Sequence, residues 1–134
     1  MAKDKVALVV DDSESVRIVV ACALRAVGYR VLEAESSDEA VSIMRSQPIS
    51  FAISDLNLGP VSGLTLLEQA AALHSEVQCV LMSGSIAPGQ KVRTPFPTLS
   101  KPFSPKVLIA LLERLTGERV RADTRRGEIS RPAA

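Results

Sequence analysis

The strongest constraint on how this chain can fold is an alternation. Apolar runs of strand length, "KVALVV", "YRVLEA", "SFAISD", "VQCVLMS" and the weaker "PTLSK", recur along it, and stretches of helical period lie between the first four. Strands that alternate with helices join through right-handed crossovers, which makes a parallel sheet covered on both faces. Strands in such a sheet are buried on both sides, so they read as apolar nearly throughout instead of alternating. The expected fold class is α/β, a doubly wound five-stranded parallel sheet, and 134 residues suit one ordinary domain.

The helical segments carry their own punctuation. After Asp12, the residues Val16, Val19, Val20, Ala23, Leu24 and Val27 follow helical spacing and predict a core stripe, with Gly28 as the stop. Ser37 precedes a second run through Ala40, Val41 and Met44, closed by Pro48. "GLTLLEQAAALH" is a third, and Ser104-Pro105 is a cap followed by proline at the first helical position, opening "KVLIALLERL" up to Gly117.

In open parallel sheets the functional site lies beyond the carboxyl ends of the strands. Polar groups fall at those ends: Asp11 and Asp12 after the first run, Asp55 after the third, Ser83 after the fourth and Lys101 after the fifth. Taken singly, each has a plain local reading, as a helix cap, a turn residue or a solvated charge. Taken together they form a constellation. Three converging carboxylates repel and need a counter-charge, which a divalent cation with oxygen ligands supplies, Mg²⁺ best of all. A lysine opposite them, with a hydroxyl nearby, adds donors for an anion that arrives with the metal, and an Asp can serve as nucleophile for phosphoryl transfer.

The totals narrow the class. Hydrophobic content of 46% with 23% charged residues is a globular composition, and a net charge of +1 argues against nucleic acid or an anionic membrane as partner. "MAKDKVALVV" lacks the apolar length and cleavage site of a signal peptide, and no run has membrane-spanning length, so a cytoplasmic location is expected. Cys22 and Cys79 lie far apart inside apolar elements, and both are expected to be buried free thiols.

The segments "VALVVDDSESVR", "ISDLNLG", "VLMSGS" and "LSKPF" together resemble the receiver domain of two-component response regulators, over roughly residues 5–116. The resemblance implies a flavodoxin-like sheet of strand order 2-1-3-4-5. It implies that Asp55 is the phosphoacceptor, taking its phosphoryl group from a phosphohistidine on a sensor histidine kinase or a histidine phosphotransfer protein. Asp12 would be a direct Mg²⁺ ligand, Asp11 one acting largely through water, and Asn57 one through its backbone carbonyl, with Asp55 completing the set. Ser83 resembles the switch hydroxyl and Lys101 the lysine that pairs with the phosphoryl group, and the bond before Pro102 would be cis. No enzymatic activity is expected beyond self-phosphorylation and autodephosphorylation.

The chain departs from the family pattern in three places. Thr98 stands where receivers usually carry an aromatic switch residue; Phe96, two residues earlier, falls on the same strand side and is the candidate substitute. Only 17 residues separate Ser83 from Lys101, and Pro88, Gly89, Pro95 and Pro97 lie among them, so the fourth helix is expected to be absent or reduced to a turn. The fifth strand is then a short edge strand, where Pro97 is tolerable. Gly59-Pro60 also reverses the more usual proline-first order.

Residues 1–116 are expected to form the receiver and 117–134 a basic, disordered tail with no output domain. Such a stand-alone receiver would act as a phosphorelay shuttle, a phosphate sink or an effector that binds another protein. Ile18, Ala21 and Cys22 form a second stripe on the first helix, a landing surface for a kinase or a set of isolated exposed residues. Ile109 on the last helix is similarly a homodimer contact or nothing, and His74 is expected to be a solvated imidazole. Two rivals remain. A Mg²⁺-dependent phosphohydrolase would want a carboxylate where Asn57 stands, and a degenerate receiver would bind partners without phosphorylation.

Overall fold

A computed structural model of the chain describes residues 5–84 and 94–117. Their elements are β1 (Val6–Val10), α1 (Glu14–Ala26), β2 (Arg30–Ala34), α2 (Ser37–Ser46), β3 (Phe51–Asp55), α3 (Gly63–Leu73), β4 (Gln78–Ser83), β5 (Thr98–Ser100) and α4 (Pro105–Thr116). The strands form one parallel sheet of order β2-β1-β3-β4-β5, as expected. β5 is short and lies at the edge. The expected loss of a helix between Ser83 and β5 concerns residues 85–93, which lie outside the described residues, as does the expected tail beyond Gly117.

Among the described residues, each of the four helices starts on a serine. Ser13, Ser36, Ser62 and Ser104 accept the backbone N–H of Val16, Glu39, Thr65 and Val107 respectively, satisfying one of the orphan donors of each first turn. The cap of α2 is thus Ser36, one residue before Ser37. At the other ends, Gly117 caps α4 in the left-handed region at φ 73°, where a side chain would be strained.

The sheet divides two apolar clusters. Ala7, Val9, Phe51, Ile53, Val80, Met82 and Leu99 face α1 and α4. Val6, Leu8, Val10, Ala52, Cys79 and Leu81 face α2 and α3. Alternation along a strand therefore decides the side on which its last residue emerges.

Helix α1 is turned relative to the expected stripe. Val19 is 48% exposed, whereas Ala21 is fully buried. The reason is that α1 packs on β1, β2 and α4 together, so its buried arc shifts from Val19 towards Ala21. The second stripe reduces to Ile18, Val19 and Cys22. His74 is half-buried with its Nε2 2.9 Å from the Met44 carbonyl, so it ties the end of α3 to α2 instead of being merely solvated. Ile109 packs partly buried against the α1–α4 cluster, and Val107 is an exposed large apolar residue of α4.

The cysteines also differ from expectation: Cys79 is buried but Cys22 is exposed. Burial pushes the Cys79 thiol up to about 11. Thiol titration of the native protein with a disulfide reagent should therefore show one fast thiol, Cys22, with Cys79 reacting only on unfolding; two fast thiols would contradict the packing of β4 against α3.

Candidate functional site

The site is assembled by strand ends. β1 stops at Val10, and Asp11 follows on the parity of Val9; Asp55 ends β3 on the parity of Ile53; Lys101 follows β5 on the parity of Leu99. All three emerge on the α1–α4 side of one sheet edge. The ligand oxygens of Asp11, Asp12 and Asp55 lie within 4.8 Å of one another, with Asp11 and Asp55 buried and Asp12 exposed. The Lys101 ammonium bridges the buried pair, 2.7 Å from Asp11 Oδ2 and 3.2 Å from Asp55 Oδ1.

Backbone contacts hold these residues in place. Lys101 N–H donates to the Ser83 carbonyl at 2.8 Å, so the buried end of β4 pins the residue that carries the ammonium. The Lys101–Pro102 peptide is cis, as the resemblance implied. Asn57, exposed just after β3, bridges Ser62 across the turn and hydrogen-bonds the Asp55 carboxylate through its backbone. The sequence-derived residues Asp11, Asp12, Asp55 and Lys101 are therefore brought together, with Asn57 and Ser83 on the adjoining backbone.

Three neighbours escaped the sequence reading. Gly63, at the start of α3, lies so close to Asp55 that an added Cβ would land on the Asp55 carbonyl oxygen. Ser54 Oγ donates to the same carbonyl at 2.9 Å. Arg17 donates to the Asp11 carbonyl. The available signals were a glycine opening a helix of otherwise good helix formers and a charge lying within an apolar stripe.

Burial raises the Asp55 carboxyl above its ordinary value and Asp11 repels it further; the Lys101 charge and hydrogen bond and the Asn57 backbone lower it, without cancelling the rise. Burial works against the Lys101 charge, but the hydrogen bonds and charges of Asp11 and Asp55 outweigh it and hold the lysine above its ordinary value. A carboxyl raised on folding contributes stability that is present at low pH and is lost as pH rises through its folded value. Asp55→Asn should therefore gain thermal stability over wild type, in EDTA, as pH rises from about 4 to about 8. A melting-temperature difference that stays flat across that range would contradict the burial of the charge.

The donor set suits a hard cation. Oxygen ligands around Mg²⁺ sit at about 2.1 Å from the ion and roughly 3–4 Å from one another, close to what these three carboxylates offer. Among the described residues no helix is long and apolar enough to cross a membrane.

The comparisons agree with this geometry. The family model of the response regulator receiver domain matches residues 7–113, and the chain belongs to that family. It is 31% identical over 114 residues to sensor kinase CckA of Brucella abortus (strain 2308), covering 81% of this chain and 12% of the kinase. It is 30% identical over 121 residues to the acid tolerance regulatory protein ActR of Sinorhizobium medicae (strain WSM419), covering 87% of this chain and 62% of that protein. The chain thus spans less than two thirds of either relative. Among solved structures it is similar to the chemotaxis response regulator CheY4 of Vibrio cholerae, with a TM-score of 0.73 and 26% identity over 84% of this chain and 99% of that one. The receiver domain from the hybrid histidine kinase CckA gives a TM-score of 0.70 and 32% identity, over 82% and 97%.

Proposed function

We propose that residues 1–116 are a response-regulator receiver that accepts a phosphoryl group on Asp55 from a phosphohistidine and signals through protein contacts or a phosphorelay. The observation that carries this reading is the Lys101 ammonium bridging Asp11 and Asp55 beside an exposed Asp12. A carboxylate oxygen of Asp55 attacks phosphorus, the bond from phosphorus to the histidine nitrogen breaks, and the imidazole leaves with that electron pair. Lys101 can follow the charge from the carboxylate to a phosphoryl oxygen, since its flexible ammonium already stands 3.2 Å from Asp55 Oδ1, where the new bond forms. Ser83 is assigned as the hydroxyl that meets the phosphoryl group.

Asp12 and Asp55 would hold Mg²⁺ with the Asn57 carbonyl, and Asp11 would act through water, because its two oxygens are already engaged by the Ser13 N–H and Lys101. When bound, the ion supplies positive charge to the phosphoryl oxygens. The donor is a sensor histidine kinase or a histidine phosphotransfer protein, and the location is cytoplasmic.

Incubation with acetyl phosphate and Mg²⁺, followed by intact-mass spectrometry, tests the reading. One phosphoryl adduct is expected in wild type, none in EDTA and none in Asp55→Asn. A wild type that binds Mg²⁺ but gains no adduct would favour instead a receiver that binds partners without phosphorylation, in keeping with Thr98 at the aromatic position.

A further inference from the structure

Arg17 occupies an unusual place. At about 100° per residue it falls between Leu24 and Ala21 on α1, both fully buried, and its side chain is only 14% exposed. A guanidinium in such a position is costly unless its donors are used. They are used on the site: Nη1 donates to the Asp11 carbonyl at 2.7 Å, and Nε lies 3.4 Å from Glu33 Oε1 on β2. Glu33 in turn meets Arg25 at 3.6 Å.

The Asp11 carbonyl belongs to the peptide joining the two acidic residues. The peptides on either side of it are also fixed. The Asp11 N–H donates to the Ala34 carbonyl at 3.2 Å, and the Ser13 N–H donates to Asp11 Oδ1 at 2.8 Å. Three successive peptides, from Val10 to Ser13, are thus held, and Arg17 holds the middle one. Among the described residues no hydrogen bond or ion pair holds the Asp12 side chain, so this backbone, by fixing the Cα–Cβ bond, sets the range over which its carboxylate can swing.

We infer that Arg17 is a positioning residue for cation binding: by fixing the Asp11–Asp12 peptide, and braced by Glu33, it sets where the Asp12 carboxylate stands. The planar fork of arginine is suited to this, because it reaches a carbonyl and a carboxylate at once, whereas a lysine reaches one. The inference rests on the metal-binding reading of the acidic cluster.

The test uses the full chain. Amide resonances are followed during Mg²⁺ titration, and amide hydrogen exchange is measured in EDTA. Arg17→Ala should weaken Mg²⁺ binding about tenfold or more, as loss of a group that orients a metal ligand does. It should also speed exchange of the Asp11 and Ser13 amides about tenfold while leaving those of Leu8 and Ile53 unchanged. Arg17→Lys, which keeps a donor for the carbonyl, should recover most of the affinity, and Glu33→Gln should lose about threefold. Should Arg17→Ala fail to fold, these two variants decide alone. If wild type binds Mg²⁺ and Arg17→Ala binds within about twofold of it, or exchange quickens uniformly across the sheet, the inference is overturned and the metal-binding reading stands. If wild type binds no Mg²⁺, the metal-binding reading itself falls, and this inference with it.

Discussion

Gly63→Ala is expected to cost about 3 kcal/mol of stability and lower the melting temperature by roughly 10 °C or more. The same change in an unconstrained helix gains about 0.5–1 kcal/mol, because alanine is the better helix former. Steric contact reverses the sign here. The new Cβ would lie far inside contact distance of the Asp55 carbonyl oxygen and sit 2.8 Å from both the Asp55 carbonyl carbon and Ser54 Oγ. Two of those atoms are backbone and cannot rotate away. Relief requires the end of β3 to move, which displaces Asp55, or α3 to move, which strains the 2.7 Å bond from the Gly63 N–H to the carbonyl of Leu56 beside it. The variant should therefore lose phosphorylation even where it remains folded. Gly84→Ala is the control, since its Cβ would meet Lys101 side-chain atoms at 3.7–3.8 Å, an ordinary contact. Thermal melts of both variants check this; a Gly63→Ala protein as stable as wild type would mean that the α3 start does not press on Asp55.

Lys101→Met is expected to separate metal binding from phosphoryl transfer. The lysine neutralises two carboxylates, one of them on a side chain only 1% exposed. Removing it should cost the metal-free protein about 2 kcal/mol, less than a fully buried pair because the ammonium reaches solvent. It also removes the cation that competes with Mg²⁺, so Mg²⁺ affinity should rise, by about tenfold at low salt. Transfer to Asp55 should nevertheless slow about 10²–10³-fold, since a donor aimed at the developing phosphoryl charge is gone. Calorimetric Mg²⁺ titration and the rate of adduct formation check the two halves. If affinity and rate fell together, Lys101 would be a structural counter-ion only.

How much of this could be read in the sequence follows from how each residue is held. The sheet was legible because doubly buried strands must be apolar nearly throughout, and the strand ends were legible because a carboxylate after such a run is conspicuous. Asp11, Asp55 and Lys101 were therefore found together. Arg17 and Gly63 were not, since their roles are contacts to backbone atoms at the nearby strand ends of Asp11 and Asp55, and neither helical nor strand periodicity encodes those. The Val19–Ala21 error has a related cause. Periodicity gives the width of an apolar stripe, but its centre depends on where α4 lies, and α4 comes some 80 residues later in the chain. Cys22 followed the same error. Ser36 and Ser37 are adjacent serines, either of which can cap a helix, and only backbone geometry separates them.

The most direct test of the account is to locate the phosphoryl group. The protein is phosphorylated with acetyl phosphate and Mg²⁺, reduced with borohydride, which converts an aspartyl phosphate to homoserine, and digested for peptide mass spectrometry. The account predicts homoserine at position 55 in wild type, and unmodified peptide when Mg²⁺ is chelated. Homoserine at Asp11 or Asp12, or none at position 55 in protein that demonstrably binds Mg²⁺, would contradict it.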